Sequence, residues 1–80
     1  MNNSVSKLCE LRDCEQGRII AMDGCGNLKR RLNDMGFFEG TCVKRLFSAP
    51  AGDPSAYWIR DTVVALRASD VTGIVVIKNE

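Results

Sequence analysis

The side chains best suited to chemistry are four cysteines, Cys9, Cys14, Cys25 and Cys42, in a chain that has no histidine. A cysteine attacks an electrophile or binds a metal only as the thiolate. A histidine, a nearby cation or a helix N-terminus usually supplies the deprotonation. The spacing argues against a metal centre. No two cysteines form C-x-x-C, and no imidazole can complete a Cys/His tetrahedron. Scattered cysteines of this kind pack as small apolar side chains. Cys25, between Gly24 and Gly26 and two residues ahead of Asn27, is the one candidate nucleophile, and no activating partner accompanies it. The carboxylates add little, because Asp53, Asp61 and Asp70 stand where turns and caps favour aspartate for backbone reasons. Gly24-x-Gly26 lacks the longer glycine pattern and the lysine of a phosphate-binding loop. With the commonest general base also missing, the chain is predicted to be no enzyme and to hold no cofactor and no metal.

Binding residues are more prominent. Lys29-Arg30-Arg31 concentrates positive charge on a helix, either as a solvated face or as a contact for phosphate or an acidic partner. Phe37 and Phe38 are adjacent and cannot both enter a small core, and alternation leaves Phe38 the more exposed. Trp58 faces outward if its neighbours Tyr57 and Ile59 face inward. It is then an interface anchor, unless the helix covers it. Arg30, Arg31, Phe38 and Trp58 are therefore the candidate partner-binding residues.

The elements that must position them are short. Arg18 to Met22 reads as a first strand, after a lead-in from Leu8 to Glu15 that holds one or two helical turns or an irregular path and ends at Gly17. Asn27 is a good N-cap, and Leu28, Leu32 and Met35 follow at i, i+4 and i+7 as one apolar stripe. Gly36 suits the left-handed residue of a helix C-terminus. Roughly two and a half turns cannot persist alone, so this helix must dock. Thr41 to Ala49 is a second strand, stopped near Pro50. Ala56 to Arg60 is a third, with Tyr57 and Ile59 inward and Ala56, Trp58 and Arg60 outward. Asp61 makes a tight connection to a fourth strand, Thr62 to Arg67, with Val64 and Leu66 inward. Ser69 to Thr72 has capping residues for one helical turn, and Ile74 to Ile77 is the last strand. The expected fold is mainly β, a small five-stranded closed barrel with one short α-helix between strands 1 and 2.

Size and charge agree with one binding module. Residues 1–80 leave room for a single domain, and 45% hydrophobic residues suit a folded chain. A net charge of +1 lacks the basic excess of a protein that wraps nucleic acid. No stretch approaches the ~18 apolar residues of a membrane span, and the first seven residues lack a secretory apolar run. A cytoplasmic location with reduced cysteines is expected.

Three segments carry a family resemblance. Arg31-Leu32-Asn33-Asp34-Met35-Gly36-Phe37-Phe38-Glu39-Gly40 resembles the R-L-x-x-(L/M)-G-(L/M/F)-x-P-G segment of the FeoA (ferrous iron transport protein A) family. Ala49-Pro50-Ala51-Gly52-Asp53-Pro54 is similar to its A-P-x-G-D-P turn. Ala65-Leu66-Arg67 with Ile74-Val75-Val76 resembles its ending. The match keeps register over about fifty residues. It departs at Glu39, where proline is usual, at Ser55, where an apolar residue is common, and at Arg45, a position often apolar. The resemblance implies an SH3-like β-barrel acting in bacterial ferrous iron uptake, bound to the cytosolic GTPase portion of the FeoB membrane transporter. With no histidine and no dense carboxylate cluster, a regulator that binds protein is expected rather than an iron carrier. Two other readings stand beside it. One is a metal-responsive module like the C-terminal SH3-like domain of iron-dependent repressors. The other is a small nucleic-acid-binding barrel using Trp58 and Arg60.

Overall fold

The computed structural model describes residues 3–23 and 27–79. Six strands, β1 (Asn3–Lys7), β2 (Gln16–Met22), β3 (Cys42–Ser48), β4 (Ser55–Ile59), β5 (Thr62–Leu66) and β6 (Ile74–Asn79), form one antiparallel sheet in the order β1-β6-β2-β3-β4-β5. One helix, α1 (Asn27–Asp34), lies between β2 and β3. Short 3-10 turns occupy Leu8–Glu10 and Ala68–Asp70.

Two expectations are corrected here. The sheet has six strands rather than five, because Asn3–Lys7 pairs with β6 from Asn3↔Asn79 to Lys7↔Val75. The helix therefore follows the second strand, not the first. Nor does pairing close the sheet, since β1 and β5 are its two unpaired edges. The sheet is curved without being closed. The register shifts between Ile19 and Ala21 in β2 and between Arg45 and Phe47 in β3. An extra residue at each place bends its strand and sharpens the twist.

The concave face and what covers it make the core. Ile19, Val43, Tyr57, Ile59, Ile74 and Val76 point inward from the strands and are buried. Leu8 and Leu11 close the core from the lead-in, and Leu32 and Phe37 from α1 and its exit. Val64 packs on the core and Leu66 is within it, as alternation requires. Ala56 lies in the outward row as expected, yet it is buried, its small side chain flanked across the sheet by Phe47 and Ala65.

Gly17 does not end the lead-in. It lies inside β2, where a Cβ would come within 3.1 Å of the Ile77 carbonyl oxygen and of Val76 Cβ. Glycine there admits close approach of β6. The end of α1 has a full mechanism. Gly36 takes φ +106°, its N–H donates to Asn33 O at 3.0 Å, and the Phe37 N–H donates to Leu32 O at 2.9 Å. These two bonds make a Schellman motif. The hydrophobic contact such motifs carry falls on Leu32 and Phe37, both fully buried. Turning Phe37 inward commits Phe38 to the outside. The cap expected of Asn27's side chain, and Cys25 itself, lie outside the described residues.

Candidate functional site

The outer face of the sheet is organised by the β4–β5 hairpin. Arg60 and Asp61 both have positive φ, +48° and +63°, and join Ile59 to Thr62 as a two-residue turn. Arg60 thus leaves the strand expected for it, and the connection is two residues rather than Asp61 alone. Two positive φ values match the right-handed twist of the flanking strands, whereas a turn with both φ negative would splay them. The turn fixes the register Trp58↔Val63 and Ala56↔Ala65. β3 adds Lys44 opposite Trp58 and Phe47 opposite Ala56, and β2 adds Gln16 opposite Lys44.

Two rows result on the convex side. One runs Gln16, Lys44, Trp58, Val63, and the other Phe47, Ala56, Ala65. Trp58 is 43%, Val63 53% and Phe47 58% exposed, so the face is apolar and open to solvent. A shallow hollow of about 180 Å³ adjoins Trp58 and is bounded by Gln16, Cys42, Lys44, Arg60 and Asp61. Its rim is mostly positive. The stem of Arg60 runs over the end of α1, where a Cβ on Gly36 would come within 3.0 Å of Arg60 Cδ. Packing of this kind anchors the alkyl chain and leaves the guanidinium to solvent.

Arg45 is a different kind of cation. It lies opposite Tyr57 on the inner side, and its guanidinium donates to the Leu11 carbonyl and to Ser48 Oγ. Ser48 Oγ is 3.1 Å from Ser55 Oγ, and Asp13 Oδ1 is 3.7 Å from Arg45 Nε. The backbone adds Cys14 N–H to Arg45 O and Arg45 N–H to Glu15 O, at 2.7 and 2.8 Å. Arg45 and Ser55, two of the departures from the family pattern, are thus one polar brace tying the lead-in to the sheet. Glu15 accepts from the Arg12 N–H at 2.7 Å and faces Lys78 at 3.6 Å. The hydrogen bond first, and Lys78 next, hold its carboxyl below the usual range.

The four residues singled out in the sequence are all exposed but come from three elements. Arg30 and Arg31 stand on the solvent side of α1, Phe38 in the loop after it, and Trp58 on β4. No hydrogen bond or ion pair among the described residues joins them. Trp58 is not covered by the helix. Its neighbours Lys44, Val63 and Phe47 were missed, because they are set by cross-strand register. Recognising Arg60-Asp61 as a two-residue turn would have found Val63. Among the described residues no group of three His, Cys, Asp or Glu is placed to hold a metal ion, and Cys9, Cys14 and Cys42 are free. No helix among them is long and apolar enough to cross a membrane.

Comparison with known proteins agrees with this fold. The "Fe(2+) transport protein A/Fe(2+) transporter FeoB fusion protein" of Porphyromonas gingivalis (strain ATCC BAA-308 / W83) is 36% identical over 68 residues. That match covers 85% of this chain but only 8% of the relative. The solution structure of a FeoA protein from Chlorobium tepidum superposes with a TM-score of 0.86 at 28% identity, covering 94% of this chain and 71% of that one. A FeoA from Stenotrophomonas maltophilia, solved with zinc and described as a prokaryotic SH3 domain protein, gives a TM-score of 0.77 at 27% identity over 89% and 88% of the two chains. The FeoA domain profile matches residues 6–78, nearly the whole SH3-like sheet, and the chain belongs to the FeoA family.

Proposed function

We propose that this chain is a cytoplasmic, non-enzymatic module of ferrous iron uptake that docks on the cytosolic GTPase portion of a FeoB-type transporter. The observation that carries the reading is the convex face. The concave side is spent on the core, whereas Trp58, Val63 and Phe47 stay exposed beside Lys44 and Arg60. An aromatic anchor amid cations, with no acid–base constellation beside it among the described residues, suits recognition rather than turnover. The fusion relative supports the partner, since there both functions share one polypeptide. Iron is cargo for the transporter in this reading, not a ligand of this chain. Arg30, Arg31 and Phe38 are a second contact, on the helix side.

Trp58 is the only tryptophan, so its fluorescence reports docking directly. Titration with the GTPase portion, with and without a GTP analogue, should saturate. Trp58→Ala, which removes the fluorophore and is therefore followed by titration calorimetry, should weaken binding by about 30-fold, as expected for a buried aromatic anchor, while circular dichroism stays unchanged. Arg30→Glu with Arg31→Glu tests the helix side separately. Absence of binding to that portion and to the full transporter ends the reading.

A further inference from the structure

We propose that two copies of this chain pair edge to edge through β5, antiparallel about a two-fold axis at Val64. The hairpin sets which groups are free. Residues flanking a two-residue turn form a hydrogen-bonded pair, so Ile59↔Thr62, Tyr57↔Val64 and Ser55↔Leu66 are the bonded pairs of the ladder. The N–H and C=O groups of Val63 and Ala65 therefore point away from β4. β5 ends the sheet, and among the described residues no other element takes these groups.

Edges of this kind are ordinarily guarded by charge, proline or a bulge. β1, Asn-Ser-Val-Ser-Lys, is largely polar and carries Lys7. β5, Thr-Val-Val-Ala-Leu, has none of these guards, and its register with β4 runs without a shift. Charge appears only just outside the strand, with Asp61 three residues before Val64 and Arg67 three residues after it. Both are exposed.

That symmetry selects a register. With Val64 on the axis, Val63 faces Ala65 of the second copy and exchanges both backbone hydrogen bonds with it. Asp61 then faces Arg67 of that copy, twice by symmetry. An axis at Val63 instead sets Asp61 against Ala65 and Arg67 against Ile59. An axis at Ala65 sets Val63 against Arg67. Only the Val64 axis pairs opposite charges and opposes the whole strand to itself. Side-chain size fits as well. The row Trp58, Val63 of one copy continues into Ala65, Ala56 of the other, large beside small on the convex face. Five residues a side bury far less than the ~1,200 Å² of a lasting complex, so the dimer is weak and reversible.

The test uses the purified chain at low salt, by sedimentation between about 20 µM and 1 mM, the range where weak pairing populates. The expected result is a dimer whose formation slows amide exchange at Val63 and Ala65 as concentration rises. Asp61→Lys or Arg67→Glu alone sets like charges opposite and should raise the dissociation constant about tenfold. The double variant Asp61→Lys/Arg67→Glu should recover it. A strict monomer at the highest concentration overturns the proposal, as does a dimer indifferent to the single reversals or not restored by the double. Because amide exchange is read on the unaltered chain, misfolding of a variant does not rescue the idea. Protection of Val63 and Ala65 only by the transporter's GTPase portion would assign the edge to that partner and would equally overturn it.

Discussion

Tyr57 sits on the inner face of β4, opposite Arg45 and Val64, and only 1% of it meets solvent. Burial raises its phenol above the ordinary value of 10.0, and the nearby Arg45 charge opposes that rise only in part. The neutral form is thus favoured in the folded chain. Its contribution to stability is complete below the unfolded value and is lost as pH climbs through it toward the folded one. Urea unfolding of Tyr57→Phe and of the unaltered chain should therefore diverge above about pH 10, with the variant declining less. Equal slopes on the alkaline side would place the hydroxyl in water. Arg45 shows the limit of sequence reading at this scale. An arginine in a strand next to buried residues has no visible reason until the Leu11 carbonyl, Ser48 and Asp13 converge on it. The lead-in that supplies two of those partners is more than thirty residues away in the chain.

At the scale of elements, two glycines separate conformational need from crowding. Gly36 and Gly52 both have positive φ, but a Cβ at Gly36 meets the Arg60 stem at 3.0 Å, whereas at Gly52 it meets nothing. Gly52→Ala should cost about 1 kcal/mol from backbone strain alone. Gly36→Ala should cost roughly 2 kcal/mol, because strain and displacement of Arg60 add. Comparison of urea midpoints checks the order, and equal costs would show that the Arg60 contact is immaterial. Here the sequence was informative. Leu28, Leu32 and Met35 at helical spacing before Gly36 placed α1 and its end, and through that end the exposure of Phe38. Period-two alternation placed Trp58 outside. What stayed hidden was β1. One valine among asparagine, serines and lysine carries no apolar alternation, and its partner β6 is some seventy residues on. The same long-range pairing hides the row around Trp58, since Lys44 and Val63 become its neighbours only by register.

For the molecule as a whole, protection should follow the sheet order. β2 and β6 lie in the interior and hold Ile19, Ile74 and Val76 without exposure, so their amides should exchange only by global unfolding. At micromolar concentration the outward amides of Val63 and Ala65, on an unpaired edge, should exchange much faster than those of β2 and β6. Hydrogen exchange followed by NMR measures both. Slow exchange at Val63 and Ala65 in dilute solution, or fast exchange at β6, would contradict the order described.

The place of β6 reaches beyond stability. β3, β4 and β5 are consecutive hairpin partners, each able to pair as soon as it is made. β1 and β2 are synthesised first but are not neighbours. They are held apart by a strand that arrives only after every other one. On a ribosome, β2 can join β3 as the meander forms, whereas β1 has no strand to pair with until β6 has been made. Most of the sheet can thus assemble in the order of translation, and the strand made last is the one that fastens the first strand to the rest.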